Sequence, residues 1–295
     1  MTEVVACMEQ LIHVQTQGRA WVAPKTNLST DDERFMMATL AAADDPPFMA
    51  VKALIVNPSN PARSLSAINS SITLLDSDTG LPLAVMDGNW VTALRTAGAS
   101  AVVARRLANA DSSVLALIGC GVQARSHLAA FAEFYPLTQV RAFGRGRENR
   151  DLLCTIASDL GLEAVPSESA EDAIRGADLV VSSIPLLPRI EPFLDANWLK
   201  PGAFVSSTDF ALPWIPESLQ MFERIIIDDR QQEAAMAEPM IDASLVHGDI
   251  GELVSGKVRG RLDKMERTAF VFRSVALGDL AVAALAYQKA CADEA

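Results

Sequence analysis

Apolar positions recur at helical spacing in the first 18 residues, where Val4, Val5, Met8, Leu11 and Ile12 share a face and Gly18 supplies a stop. From Trp21 to Ala38 the pattern becomes strand-turn-strand, punctuated by Pro24, Asn27 and Ser29. Met49 to Val56 predicts a strong strand closed by the turn run Asn57-Pro58-Ser59-Asn60-Pro61. Ser71 to Asp76 and Leu81 to Met86 predict two short strands around Thr79-Gly80. The first 90 residues or so thus mix strands with one helix and carry no strand–helix–strand rhythm.

The rhythm changes near Thr92, where an Ala-rich helix to Ala108 begins. Short apolar strands then alternate with amphipathic helices: strand Val114–Ile118, helix Gln123–Phe134, strand Gln139–Phe143, helix Arg147–Leu160. A short strand near Ala164-Val165, helix Ala170–Arg175 and strands at Leu179–Ser183, Ala203–Ser206 and Arg224–Asp228 follow. Alternation of this kind indicates a parallel sheet covered by helices on both faces. From about 262 the character changes again, with a strand at Phe270 to Phe272 and an Ala-rich helix from Val275 to Ala290.

A length of 295 residues suits two domains, and a hydrophobic share of 50% with 21% charged residues describes a packed globular protein. The formal net charge of −12 argues against nucleic acid as a partner, because phosphate contact requires a surplus of Lys and Arg. Cys7, Cys120, Cys154 and Cys291 form no CxxC pair, which predicts reduced thiols and no metal cluster. The opening MTEVVACMEQ lacks the basic stretch and apolar run of a signal peptide, and no apolar run approaches the roughly 18 residues of a membrane span. A cytoplasmic protein with no membrane partner is the expectation.

The strand Val114–Ile118 runs directly into Gly119-Cys120-Gly121-Val122-Gln123-Ala124, and a helix follows. In that setting Gly119 permits the tight turn, Gly121 lets the backbone approach a pyrophosphate, and Ala124 keeps helix and strand close. Val122 and Gln123 open the helix, whose free N–H groups face the phosphates. The next strand ends in Gly144-Arg145-Gly146-Arg147, with no carboxylate for a ribose 2′-hydroxyl. The guanidinium groups of Arg145 and Arg147 suit a 2′-phosphate, so NADP(H) is favoured over NAD(H).

Four blocks resemble the ornithine cyclodeaminase/μ-crystallin family. They are Val51-Lys52-Ala53-Leu54 with Asn57-Pro58-Ser59-Asn60; Leu75 to Gly88 running on to Thr92-Ala93-Leu94-Arg95-Thr96-Ala97; the glycine turn; and Phe272-Arg273-Ser274-Val275 through Ala281. The resemblance implies an α/β fold, with a Rossmann domain at 93–262 inserted into a mixed α+β substrate and dimerisation domain made of 1–92 and 263–295, and a homodimer. It also implies exchange of a hydride between nicotinamide and the α-carbon of a small amino or imino acid.

On the family pattern, Lys52 and Asp209 are the expected catalytic groups, with Lys52 polarising substrate and relaying a proton and Asp209 acting at nitrogen. Arg95 is the expected carboxylate-binding arginine, and Lys25 a second contact to the same carboxylate. Thr96, Ser183 and Ser274 match cofactor-lining positions, beside Gly119, Cys120, Gly121, Val122, Gln123 and Gly144 of the turn and the second strand. His127 reads as structural. The chain departs from the pattern at Met36-Met37-Ala38, which lacks the usual proline, and at Ala276-Leu277-Gly278. Phe35 stands where ornithine cyclodeaminases place a glutamate, which makes ornithine a poor fit. An imine reductase or amino acid dehydrogenase is expected, and a cyclodeaminase or a non-catalytic NADPH-binding protein are the alternatives.

Overall fold

The computed structural model describes residues 1–185 and 190–293. The chain forms two compact units, one of residues 97–274 with Met1, the other of residues 2–96 with the segment from Val275 onward.

The outer unit begins with α1 (Thr2–Thr16), whose buried Val4, Val5, Met8, Leu11 and Ile12 are the residues that set its helical period. Strands β1 (Ala20–Val22), β2 (Thr26–Ser29), β3 (Phe35–Ala43), β4 (Phe48–Val56), β5 (Ile68–Asp76) and β6 (Pro82–Asp87) form one antiparallel sheet. Its order is β1-β3-β4-β5-β6, with β2 paired to β3. The helix α2 (Gly88–Leu107) starts directly after β6, earlier than the sequence pattern places it, and the boundary between units falls within it.

The inserted unit holds β7 (Val114–Ile118), α3 (Val122–Phe134), β8 (Gln139–Phe143), α4 (Arg147–Asp159), β9 (Glu163–Pro166), α5 (Ala170–Ile174), β10 (Leu179–Ser182) and β11 (Phe204–Ser207). It continues with β12 (Arg224–Ile227), α6 (Arg230–Ala234), β13 (Val246–Asp249), α7 (Ile250–Val254) and β14 (Thr268–Val271). These strands make a parallel sheet in the order β13-β12-β14-β11-β10-β7-β8-β9. From β7 the chain winds outward through β8 and β9 and then returns to the other side at β10, so the turn after β7 lies at the reversal of strand order, where such sheets bind ligands. The sequence pattern assigned β14 to the outer unit with a boundary at 262. The strand instead pairs in parallel with β11 and β12, which carries the inserted unit to Ser274.

The last helix, α8 (Ala276–Asp293), belongs to the outer unit and packs with α1 against one face of its sheet. Ala41, Ala43, Ala50, Ile72 and Leu74 are buried on that face, and the small residues of α8 allow the close approach. The opposite face leaves Leu40, Met49, Val51, Ile55 and Val85 exposed. Leu40, Val51, Thr73 and Val85 lie in one cross-strand row of that face. Among the described residues, no helix is long and apolar enough to cross a membrane.

Candidate active site

In the outer unit Lys52 sits at the middle of β4 and turns to the face covered by α8. Strand alternation puts Ala50 on the same face, among apolar neighbours. Only 1% of Lys52 is exposed, yet its ammonium is held: Nζ lies 2.9 and 2.8 Å from the two carboxylate oxygens of Asp279 on α8, and 3.4 Å from Oγ1 of Thr92 on α2. Arg95, one turn along α2 from Thr92, places Nε 3.1 Å from Oδ1 of the same carboxylate. Asp279 therefore sits under two cations, and all three side chains are buried.

Burial of the charge, and then the Arg95 guanidinium, push the Lys52 amine down to about 8 from its ordinary 10.5, while Asp279 opposes the fall. An amine in that range gives and takes a proton near neutrality. The cluster thus gathers two cations around one carboxylate. Gly278 precedes Asp279, and a Cβ there would meet Arg95 side-chain carbons at 3.3 and 3.4 Å and Met8 Cε at 3.2 Å, so a larger residue at 278 would press on Arg95 and Met8. Lys25 is half-buried just before β2. Thr96 donates its hydroxyl to the Thr92 carbonyl at 2.8 Å, a helix-internal bond.

Asp279 was not legible as a partner of Lys52 from spacing, since 227 positions separate them. The available signal was a carboxylate within Ala276-Leu277-Gly278-Asp279-Leu280-Ala281-Val282-Ala283, an otherwise apolar helix. A charge in such a place requires a partner.

The inserted unit carries the glycine turn. Gly119 has φ of +91°, and a Cβ there would lie 2.5 Å from the Ser183 carbonyl oxygen, so glycine is required on both counts. A Cβ on Gly121 would meet nothing within 4 Å, which leaves the turn open where a phosphate approaches. Helix α3 has no side-chain cap at Gly121, and Val122, at its first position, is 54% exposed. Its leading N–H groups thus remain available to an anion, and the turn fits a dinucleotide pyrophosphate. Ser183, just past β10, presents a buried hydroxyl without a hydrogen-bond partner among the described residues, as does the side-chain carbonyl of Gln123.

Cys120 is buried, with its thiol pushed up to about 11 by burial, so it packs rather than reacts; its Sγ would lie 3.0 Å from a Cβ at Gly144. β8 ends at Phe143, and beyond it Arg145 and Arg147 are exposed. Ser274 closes the unit at φ of +92°, its carbonyl accepting from Gln232 at 3.2 Å.

His127 is structural. Its Nδ1 donates to the Gln123 carbonyl at 2.7 Å, and Nε2 lies 2.8 Å from Ser100 Oγ, which accepts from Ser206 Oγ at 2.8 Å. Complete burial drops its ring to about 4, so it is neutral and ties α3 to α2 and β11.

Asp209, the expected acid–base partner at substrate nitrogen, lies just past the end of β11. Its carboxylate is wholly buried and accepts from Ser207 Oγ at 2.6 Å, Ser182 Oγ at 2.9 Å and the Ile184 N–H at 3.2 Å. Trp214 Nε1 reinforces Ser182 at 3.1 Å. Burial pushes this carboxyl up from the usual range while those donors oppose the rise. A carboxylate enclosed by three donors is a clamp on the ends of β10 and β11, and it holds Phe210 and Ala211 at φ of 61° and 59°.

Comparison with known proteins identifies the family. The family model described as ornithine cyclodeaminase/mu-crystallin family matches residues 1–294. Ketimine reductase mu-crystallin of Rattus norvegicus is 30% identical over 256 residues, which cover 85% of this chain and 79% of that one. Among solved structures, Thermococcus litoralis Δ1-pyrroline-2-carboxylate reductase in complex with NADH and L-proline superposes with a TM-score of 0.91 at 28% identity, covering 100% of this chain and 94% of that one. An archaeal alanine dehydrogenase dimer with bound NAD gives 0.88 at 27%, covering 100% and 93%. The chain belongs to the ornithine cyclodeaminase/μ-crystallin family.

Proposed function

We propose that this chain is an NADP(H)-dependent imine reductase or amino acid dehydrogenase acting on a small, fairly apolar amino or imino acid. It is an oxidoreductase of carbon–nitrogen bonds, as its relatives are by name. The observation that carries the reading is the buried cluster of Lys52, Arg95 and Asp279, two cations around one carboxylate. Arg95 holds the substrate carboxylate, with Lys25 as a second contact, and the Lys52 ammonium gives its proton to the substrate nitrogen. The glycine turn, with Ser183 and Ser274, would hold a nicotinamide cofactor, which when bound would supply the hydride; Thr96 is the cofactor-lining position expected in the other unit. Phe35, half-buried at the head of β3, offers no charge to a distal amine, which favours apolar substrates over ornithine.

Purified protein mixed with NADPH and pyrroline-2-carboxylate, or pyruvate with ammonia, should consume NADPH in stoichiometric amount. Ammonia release from ornithine with no added cofactor would instead mark a cyclodeaminase, and tight NADPH binding with no turnover a binding protein.

The preference for NADP(H) over NAD(H) is supported by the exposed Arg145 and Arg147 and by Gly144 where a ribose-reading carboxylate would stand, although the similar structures hold NAD or NADH. Arg145→Asp is expected to raise KM for NADPH about tenfold while leaving that for NADH nearly unchanged, since one charged hydrogen-bond pair is lost. Equal changes with both cofactors would defeat the assignment. The apolar face with Leu40, Val51 and Val85 supports a homodimer formed through the outer sheet, because a lone soluble chain rarely leaves such a face to water. The four free thiols suit a reducing compartment, the cytoplasm.

A further inference from the structure

Thr39 pairs directly with Lys52 across β3 and β4, so the two side chains leave the sheet on the same face. Their cross-strand row continues through Ile72 and Met86, which makes Thr39 and Lys52 the polar pair of an otherwise apolar row. Thr39 is 3% exposed, and its hydroxyl finds no hydrogen-bond partner among the described residues. Lys52, by contrast, is held by Asp279 and Thr92. A buried hydroxyl left without a partner costs stability, and valine would fill the same shape without that cost. Its retention beside the buried Lys52 and Arg95 cations calls for an acceptor that arrives from outside.

We propose that Thr39 is a substrate-binding residue, whose hydroxyl donates to a carboxylate oxygen of the amino or imino acid beside Lys52. The acceptor is the carboxylate rather than an ammonium nitrogen, because the Lys52 and Arg95 cations of the cluster favour an anion beside them and disfavour a cation. The hydroxyl thus adds a neutral, directional donor to the charges of Arg95 and Lys52, and its reward appears only when the ligand is bound. The assignment rests on the functional reading above.

Pyrrole-2-carboxylate, a flat and unreactive analogue of a cyclic imino acid, serves as the probe in calorimetric titrations of the NADPH-loaded protein. Thr39→Val should weaken its binding about tenfold and raise substrate KM by a similar factor with kcat nearly unchanged, as loss of uniform binding requires. Melting temperature should hold or rise, because the unpaired hydroxyl is gone from the free protein. Thr39→Ser, which keeps the hydroxyl, should bind and turn over like the wild type. Wild-type affinity in the valine variant, or equal losses in the serine and valine variants, overturns the assignment. So does a fall in melting temperature with unchanged affinity, which marks a packing role alone. Failure of the wild type itself to bind the probe or reduce any small imino acid removes the functional reading, and the assignment with it.

Discussion

Lys52→Met should lower kcat for imine reduction by about 10³-fold, in the range that positioned acid–base groups supply, while affinity for the nicotinamide cofactor changes little. The two outcomes separate because the glycine turn lies in the inserted unit and Lys52 in the outer one. The substitution keeps the apolar stem, and Asp279 retains Arg95 at 3.1 Å, so a balanced ion pair replaces the charged triad and the fold persists. In the wild type, kcat/KM for reduction should fall above pH 8, where the Lys52 ammonium loses its proton. Stability should move the opposite way. The folded amine titrates near 8 and the unfolded one near 10.5, so across that window the unfolded chain binds more protons and stability rises with pH. Steady-state rates and thermal melts over pH 6.5 to 10.5 on both proteins check the pair of trends. A methionine variant that keeps the alkaline limb would remove Lys52 from the proton step.

Local signals and long-range partnerships differ in how far the sequence reveals them. The parallel sheet was legible because buried strands such as Val114–Ile118 are continuous apolar runs, and the glycine turn because its position after a strand and before a helix carries a steric reason. β14 was misplaced because Thr268–Val271 is equally suited to either sheet, and only its pairing with β11 and β12 decides. Lys52 and Arg95 stood out through the family pattern, whereas Asp279 joins them only after α8 folds onto β4. The neighbours of Asp209 were hidden for a related reason, since the hydroxyls of Ser182 and Ser207 meet its carboxylate only once β10 and β11 pair.

Asp279→Asn should be the most damaging single change in the outer unit. It leaves the buried Lys52 and Arg95 without their shared anion, and removal of one partner from a buried ion pair costs about 3–5 kcal/mol. Lys52 can relieve part of that cost by shedding its proton, since Asp279 is the group that opposes the downward shift of its amine. The alkaline limb of kcat/KM should therefore move down from pH 8 by about one unit or more, the usual effect of an opposite charge at contact distance. Chemical denaturation measures the loss of stability, and the displaced pH limb distinguishes an electrostatic partner of Lys52 from a packing residue. A variant that is destabilised but keeps its limb at pH 8 would show that Asp279 supports the helix without tuning the amine. Restoration of both stability and limb by glutamate is not expected. The extra methylene would press against Lys52 and Arg95, whose nitrogens already lie 2.8 to 3.1 Å from the carboxylate.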